Sequence, residues 1–168
     1  VGDRVPLGSI IRGDCSGKSC DEIVAISPDG DGSVWFATRD GLVGILHPDS
    51  DRTEINRLSD GEKIHNSFST TNDGRAAIAT DSALYLLRKD NFGAPVIVWR
   101  RAYDRGSARK PGQLSQGTGA TPTFFGPTDG TDYLTITDNA DEQINLLVFD
   151  ASVDKSANGG RGGELICE

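Results

Sequence analysis

Two short stretches decide the fold: "DGSVWFAT" at residues 31–38 and "DGRAAIAT" at residues 73–80. Each is an Asp-Gly pair followed by an apolar run that closes on Ala-Thr, and the second copy begins 42 residues after the first. Asp-Gly marks a tight turn, because Gly supplies a positive φ and Asp caps its own backbone. A third copy, "GTDYLTIT" at residues 130–137, ends 57 residues beyond the second. The excess of 15 residues matches one insertion, "RGSARKPGQLSQGTG", residues 105–119.

Strand candidates sort around these echoes into three sets of four. The first set is 22–27, 34–38, 42–46 and 53–57. The second is 67–71, 76–80, 83–88 and 96–100, and the third is 121–125, 133–137, 145–149 and 164–167. Runs of this length, rich in Val, Ile, Thr and aromatics and bounded by Gly, Asp or Pro, are what short strands require. The chain shows no amphipathic helix of three turns or more. A repeat of four short strands every 40–50 residues is the pattern of propeller blades. The expectation is therefore an all-β chain with about three four-stranded β-propeller blades. They fall at about 21–60, 61–104 and 120–168, after an N-terminal segment, 1–20. Three blades do not close a ring. Two blade faces left bare would expose large apolar patches, so the chain is expected to be part of a larger ring, completed by a missing remainder or by another chain. The competing reading is an irregular β-sandwich, in which the 42-residue echo is coincidence.

Composition narrows the class. At 168 residues there is material for one domain with a sizeable core. No apolar run approaches the length of a membrane-spanning helix. The chain opens on Val1 and contains no Met, which predicts a mature or shortened chain. With 25 Asp and Glu against 17 Lys and Arg, the charge is −8, which argues against nucleic acid as a partner. The three cysteines divide into Cys15 and Cys20, close enough to bridge a small loop, and Cys167 near the C-terminus. A zinc site needs about four ligands, and no second Cys pair or paired His accompanies them. An oxidising compartment follows, secreted or periplasmic, with reduced buried cysteines as the alternative.

The chemistry is expected at one end of the blades. Links between first and second strands ("SPDGDG", "TNDG", "FGPTDGTD") are simple turns, and "DGDG" lacks the spaced ligands of a calcium loop. Links between second and third strands, and from blade to blade, gather at the other end, where loops on a rigid scaffold carry function. There His65 and Asn66 enter the innermost strand of the second blade, and Asp138, Asn139 and Glu142 form an acidic loop. These five are the candidate ligand-binding residues. His65 is the candidate proton carrier, and Asp138 and Asn139 are the candidate metal ligands, their oxygens suiting Ca²⁺. Each has a structural alternative, a hydrogen-bonded His or a solvated turn. His47 reads as a turn residue at the opposite end, and Trp35 and Trp99 read as core. Arg12-Gly13-Asp14 spells a tripeptide used by some adhesive ligands. The chain lacks G-x-S-x-G, H-E-x-x-H and P-loop motifs.

The segments "ATPTFF", "YLTITDNADEQINLLVFD" and "HNSFSTTNDGRAAIATDSALYLL" resemble secreted propellers of the quinoprotein-like and gluconolactonase/strictosidine-synthase-like kind, over residues 21–150. The WD-repeat signature and tryptophan-docking repeats are absent, so neither a quinone nor a nucleotide cofactor is indicated. The resemblance to gluconolactonase-like enzymes implies a metal on the channel axis held by acidic and amide side chains, for which Asn66, Asp138 and Asn139 are the matching types. Two functions stay open: a secreted binding or scaffold module for a small molecule or protein, and a calcium-dependent hydrolase of the lactonase or esterase type. For the cysteines, peptide mapping without reductant is expected to show Cys15 bridged to Cys20. A peptide joining Cys167 to either would overturn that pairing.

Overall fold

In the strand candidates side chains alternate between the two sheet faces, and both faces of the middle strands are used. The computed structural model describes residues 6–11, 21–153 and 162–168. One helical turn, α1 (Gly8–Ile11), precedes twelve strands. The first sheet contains β1 (Ile23–Pro28), β2 (Val34–Thr38), β3 (Leu42–His47) and β4 (Arg52–Arg57). The second contains β5 (Ser69–Thr70), β6 (Arg75–Ala79), β7 (Ala83–Lys89) and β8 (Pro95–Ala102). The third contains β9 (Thr123–Phe125), β10 (Tyr133–Thr137), β11 (Leu146–Asp150) and β12 (Leu165–Cys167). Each sheet is an antiparallel meander in chain order. The sheets correspond to the three expected sets, with ends shifted by a residue or two.

First strands meet along one edge. Ser27 Oγ lies 2.8 Å from Thr70 Oγ1, and Ser69 Oγ donates to the Pro122 carbonyl. On the outer side, Asn56 Nδ2 donates to Pro95 O, and Arg101 Nε to Gly163 O. The three blades are thus tied both inside and outside.

The second blade is buried on both faces. Ala76, Ile78, Tyr85 and Leu87 pack with Trp35, Ala37, Val43 and Ile45 of the first blade. Ala77, Ala79, Leu84, Leu86 and Trp99 pack with Leu134, Ile136, Leu147 and Phe149 of the third. Such near-continuous apolar runs belong to strands covered on both sides. The outward faces of the end blades lack such cover: Ile26 and Ile55 on the first blade are exposed, as are Phe125 and Leu146 on the third.

The same alternation sets the register of the repeat. Ala37 and Ala79 both face the following blade, each one residue before a buried Thr. In the third blade Ile136 faces backward as Ile78 does, so the residue equivalent to Thr38 and Thr80 is Asp138. The sequence echo aligned Thr137 there; the structure moves the third copy by one residue.

At the turn end, cations bind the blades together. Lys89 Nζ on β7 reaches back to the fully buried Asp29 carboxylate of the first blade at 2.8 Å, and also to Asp31. Asp29 further accepts from Trp35 Nε1 at 2.9 Å. Arg75 reaches forward to Thr131 and to the Ala151 carbonyl of the third blade. His47 spans the first interface with Nε2 on Gly93 O at 3.0 Å, so it is more than a turn residue. Cys15, Cys20 and Arg12-Gly13-Asp14 lie outside the described residues. Cys167 is a free, exposed thiol on β12.

Lys89→Met would strand the buried Asp29 charge, and chemical denaturation at pH 7 is expected to show a loss of about 3–5 kcal/mol. Hydrogen bonds from Lys89, then those around Asp29 and Ser33, hold the Asp31 carboxyl well below the usual range. A depressed carboxylate contributes stability above its unfolded pKa, near 4, and loses it as pH falls through the folded value. The gap between wild type and variant is therefore expected to close in strong acid. A gap independent of pH would refute the lock.

Candidate functional site

The end opposite the lock is made of links, and each link is built from the strand that feeds it. Thr38 Oγ1 accepts from Leu42 N at 3.0 Å, and Thr80 Oγ1 accepts from Ala83 N at 3.0 Å, so each closes its own β2–β3-type turn. Asp138 does the same over a wider loop: Oδ1 accepts from Asn145 N at 2.7 Å and Oδ2 from Asn145 Nδ2 at 2.8 Å. A carboxylate spans the longer loop that a hydroxyl cannot reach across. The acidic loop after Thr137 can therefore interrupt two strands without opening them.

Asn139 is fully buried and anchors the insertion. Its Nδ2 donates to Arg105 O at 2.8 Å and Ala108 O at 3.3 Å, while Oδ1 accepts from Gln113 Nε2 at 2.7 Å. Asp141 accepts from Ser107 N at 2.9 Å. Hydrogen bonds from Ser107 hold its carboxyl below the usual range. At the base, Thr118 N donates to Tyr103 OH at 2.9 Å, and that hydroxyl donates to Thr80 O at 2.6 Å. Burial pushes the Tyr103 phenol up to about 12, so it stays a donor. Asn66 Nδ2 donates to Thr118 O at 2.8 Å, joining the second blade's first strand region to the insertion.

His65 differs from these because it is exposed. Arg39 NH1 lies 3.2 Å from its Nδ1. Guanidinium can only donate, so Nδ1 accepts and the proton of the neutral ring sits on Nε2. Burial lowers the His65 pKa most, Arg39 and Lys63 lower it further, and Asp81 pulls the other way. Asp81 also accepts from Lys63 N at 3.1 Å and faces Arg105 NH2 at 3.4 Å. Glu142 is exposed beside Asp104, Asp141 and Asn145 around a concavity of about 420 Å³.

The five sequence candidates thus share one end, linked through the insertion, but their roles divide. Asp138 and Asn139 were expected as metal ligands. Their side-chain oxygens are instead committed to Asn145 and Gln113 inside the protein, and this donor pair does not fit a calcium ion as it stands. His65 and Glu142 reach solvent. Sequence reasoning missed Glu62, a buried carboxylate in the link between the first two blades. It accepts from Thr80 Oγ1 at 2.6 Å, Tyr85 OH at 3.1 Å and Arg100 NH2 at 2.6 Å. No local motif marks it, since its partners are 18 to 38 residues away.

No protein-family model matches the chain. The β-propeller domain of Cps50 (Swd1) from Myceliophteria thermophila superposes with a TM-score of 0.57 at 12% identity, over 88% of this chain and 43% of that one. BamB from Moraxella catarrhalis gives 0.58 at 16% identity, over 90% of this chain and 40% of that one. The chain has a β-propeller fold. Its three blades span less than half of those two propellers, as a partial ring does. An uncharacterized protein of Archaeoglobus fulgidus is 31% identical over 139 residues, which is 80% of this chain and 26% of that relative. The chain spans about a quarter of that relative's length.

Asn139→Ala is expected to release the insertion: hydrogen exchange at residues 105–116 should rise sharply while β6 and β7 stay protected. Leaving two carbonyls unpaired would cost about 1–3 kcal/mol. Unchanged exchange would remove the anchoring role.

Proposed function

We propose that these blades are a section of a binding or scaffold propeller, working outside the cytoplasm, whose loop-bearing end holds a small-molecule or protein ligand near the central channel. The observation that carries this reading is the state of His65. A neutral imidazole with Nδ1 occupied by Arg39 presents an N–H donor to solvent, which suits recognition. The same arrangement is poor for general-base work, because the outward nitrogen already carries the proton. Asn66 and Asp138 set the positions of the neighbouring loops, Asn139 anchors the insertion, and Glu142 offers an exposed acceptor at the rim. The remainder of the ring would complete the channel wall.

A calcium-dependent lactonase or esterase is the alternative. It would require Asp138 and Asn139 to give up their present hydrogen bonds, or other blades to supply the ligands. The two separate on the assembled ring with a screen of sugars and carboxylic acids by thermal shift, calcium calorimetry, and a lactone panel. A ligand whose stabilising shift falls at least tenfold in potency with His65→Ala, with no lactone turnover, is the expected result. Calcium-dependent turnover lost in both His65→Ala and Asp138→Ala would overturn it.

A further inference from the structure

The insertion has a chemistry unlike the rest of the chain. Residues 105–119 contain Arg105, Arg109 and Lys110 and no Asp or Glu, whereas all 25 acidic residues lie elsewhere. Leu114 stands at its tip, 97% exposed. Such exposure in a slack loop would mean little, since single surface apolar residues are ordinary. This loop is not slack. Gln113 N donates to Lys110 O at 3.1 Å, and Lys110 N donates back to Gln113 Oε1 at 2.8 Å. Gln116 Nε2 donates to Gly106 O at 2.8 Å, and Arg109 NH1 to the Leu114 carbonyl at 3.3 Å. The buried Asn139 holds the whole from below. At the base, a Cβ on Gly106 would sit 2.3 Å from Asn139 O, and one on Gly117 2.7 Å from Tyr103 OH, so both glycines allow close seating.

We infer that this insertion is a pre-ordered finger that docks into an apolar pocket with an acidic rim on a protein partner, Leu114 filling the pocket and Arg109 and Lys110 facing the rim. Ordering before contact removes the entropy cost that a free loop would bear on binding. The chemistry favours protein over the two polyanions. Asp104, Asp141 and Glu142 lie alongside and would repel a phosphate backbone. Three cations and one leucine are too few to hold a lipid surface against the chain's charge of −8. The inference rests on the reading of this end as the contact face, but uses different residues from the channel-side ligand.

The test is a titration of the chain, within the assembled ring, against an array of short synthetic peptides bearing Leu or Phe flanked by Asp and Glu. Their Lys and Arg counterparts, single-stranded DNA and phosphatidylglycerol vesicles serve as competing classes. Acidic apolar peptides are expected to bind, more weakly at high salt. Leu114→Ser should weaken them roughly 10- to 100-fold, the equivalent of one buried leucine. Charge reversal, Arg109→Glu with Lys110→Glu, should do the same with the thermal midpoint unchanged. Asn139→Ala, which keeps the tip residues but frees the loop, should weaken binding as well. Peptide binding indifferent to Leu114, no binding by any acidic peptide, or preferential capture of DNA or vesicles would each overturn the inference. The peptide titration reads the finger and the small-ligand screen reads His65, so either can fail alone.

Discussion

Everything in this structure depends on one sheet being covered on both sides. Ala76, Ile78, Tyr85 and Leu87 face the first blade, while Ala77, Ala79, Leu84 and Leu86 face the third. A strand whose two faces are both apolar has no stable arrangement alone in water, so the second blade exists only between neighbours. Small residues on β6 let the sheets approach, and large ones on β7 fill the space between. The same requirement applies to the outward faces of the first and third blades, where Ile26 and Leu146 remain exposed.

Polar chemistry then distributes by topology. At one end, tight turns bring acidic side chains against Lys89 and Arg75, and these charges are spent on holding blades in place. At the other end, the links are longer and their side chains cross between blades. Glu62 joins Thr80, Tyr85 and Arg100, and Asn139 joins the third blade to the insertion. The result is a rigid platform on which only a few groups, His65, Glu142 and the tip of the insertion, stay available to a partner.

The strand pattern was legible because it is local. Asp-Gly turns, the Ala-Thr closures and runs of Val, Ile and aromatics placed all three sets of strands from neighbouring residues alone. The register of the third blade was less legible, since Thr137 mimics the closing Thr of the other copies. Only the backward-facing Ile136 shows that Asp138 holds that place. The site was half legible. Topology correctly brought His65, Asn66, Asp138, Asn139 and Glu142 to one end, yet could not say which would be used up inside the fold.

Sequence by itself determined the element type, the blade repeat, the location of the insertion and the end at which polar links gather. All of these follow from periodicity and turn chemistry within a few residues. Tertiary structure alone decided the fate of each polar group. Whether a carboxylate such as Asp138 faces solvent or closes a turn depends on Asn145, and whether Asn139 is free depends on carbonyls 31 and 34 residues away. Those partners are set by how the chain returns on itself. Hydrogen bonds over such separations form only after the blades have packed.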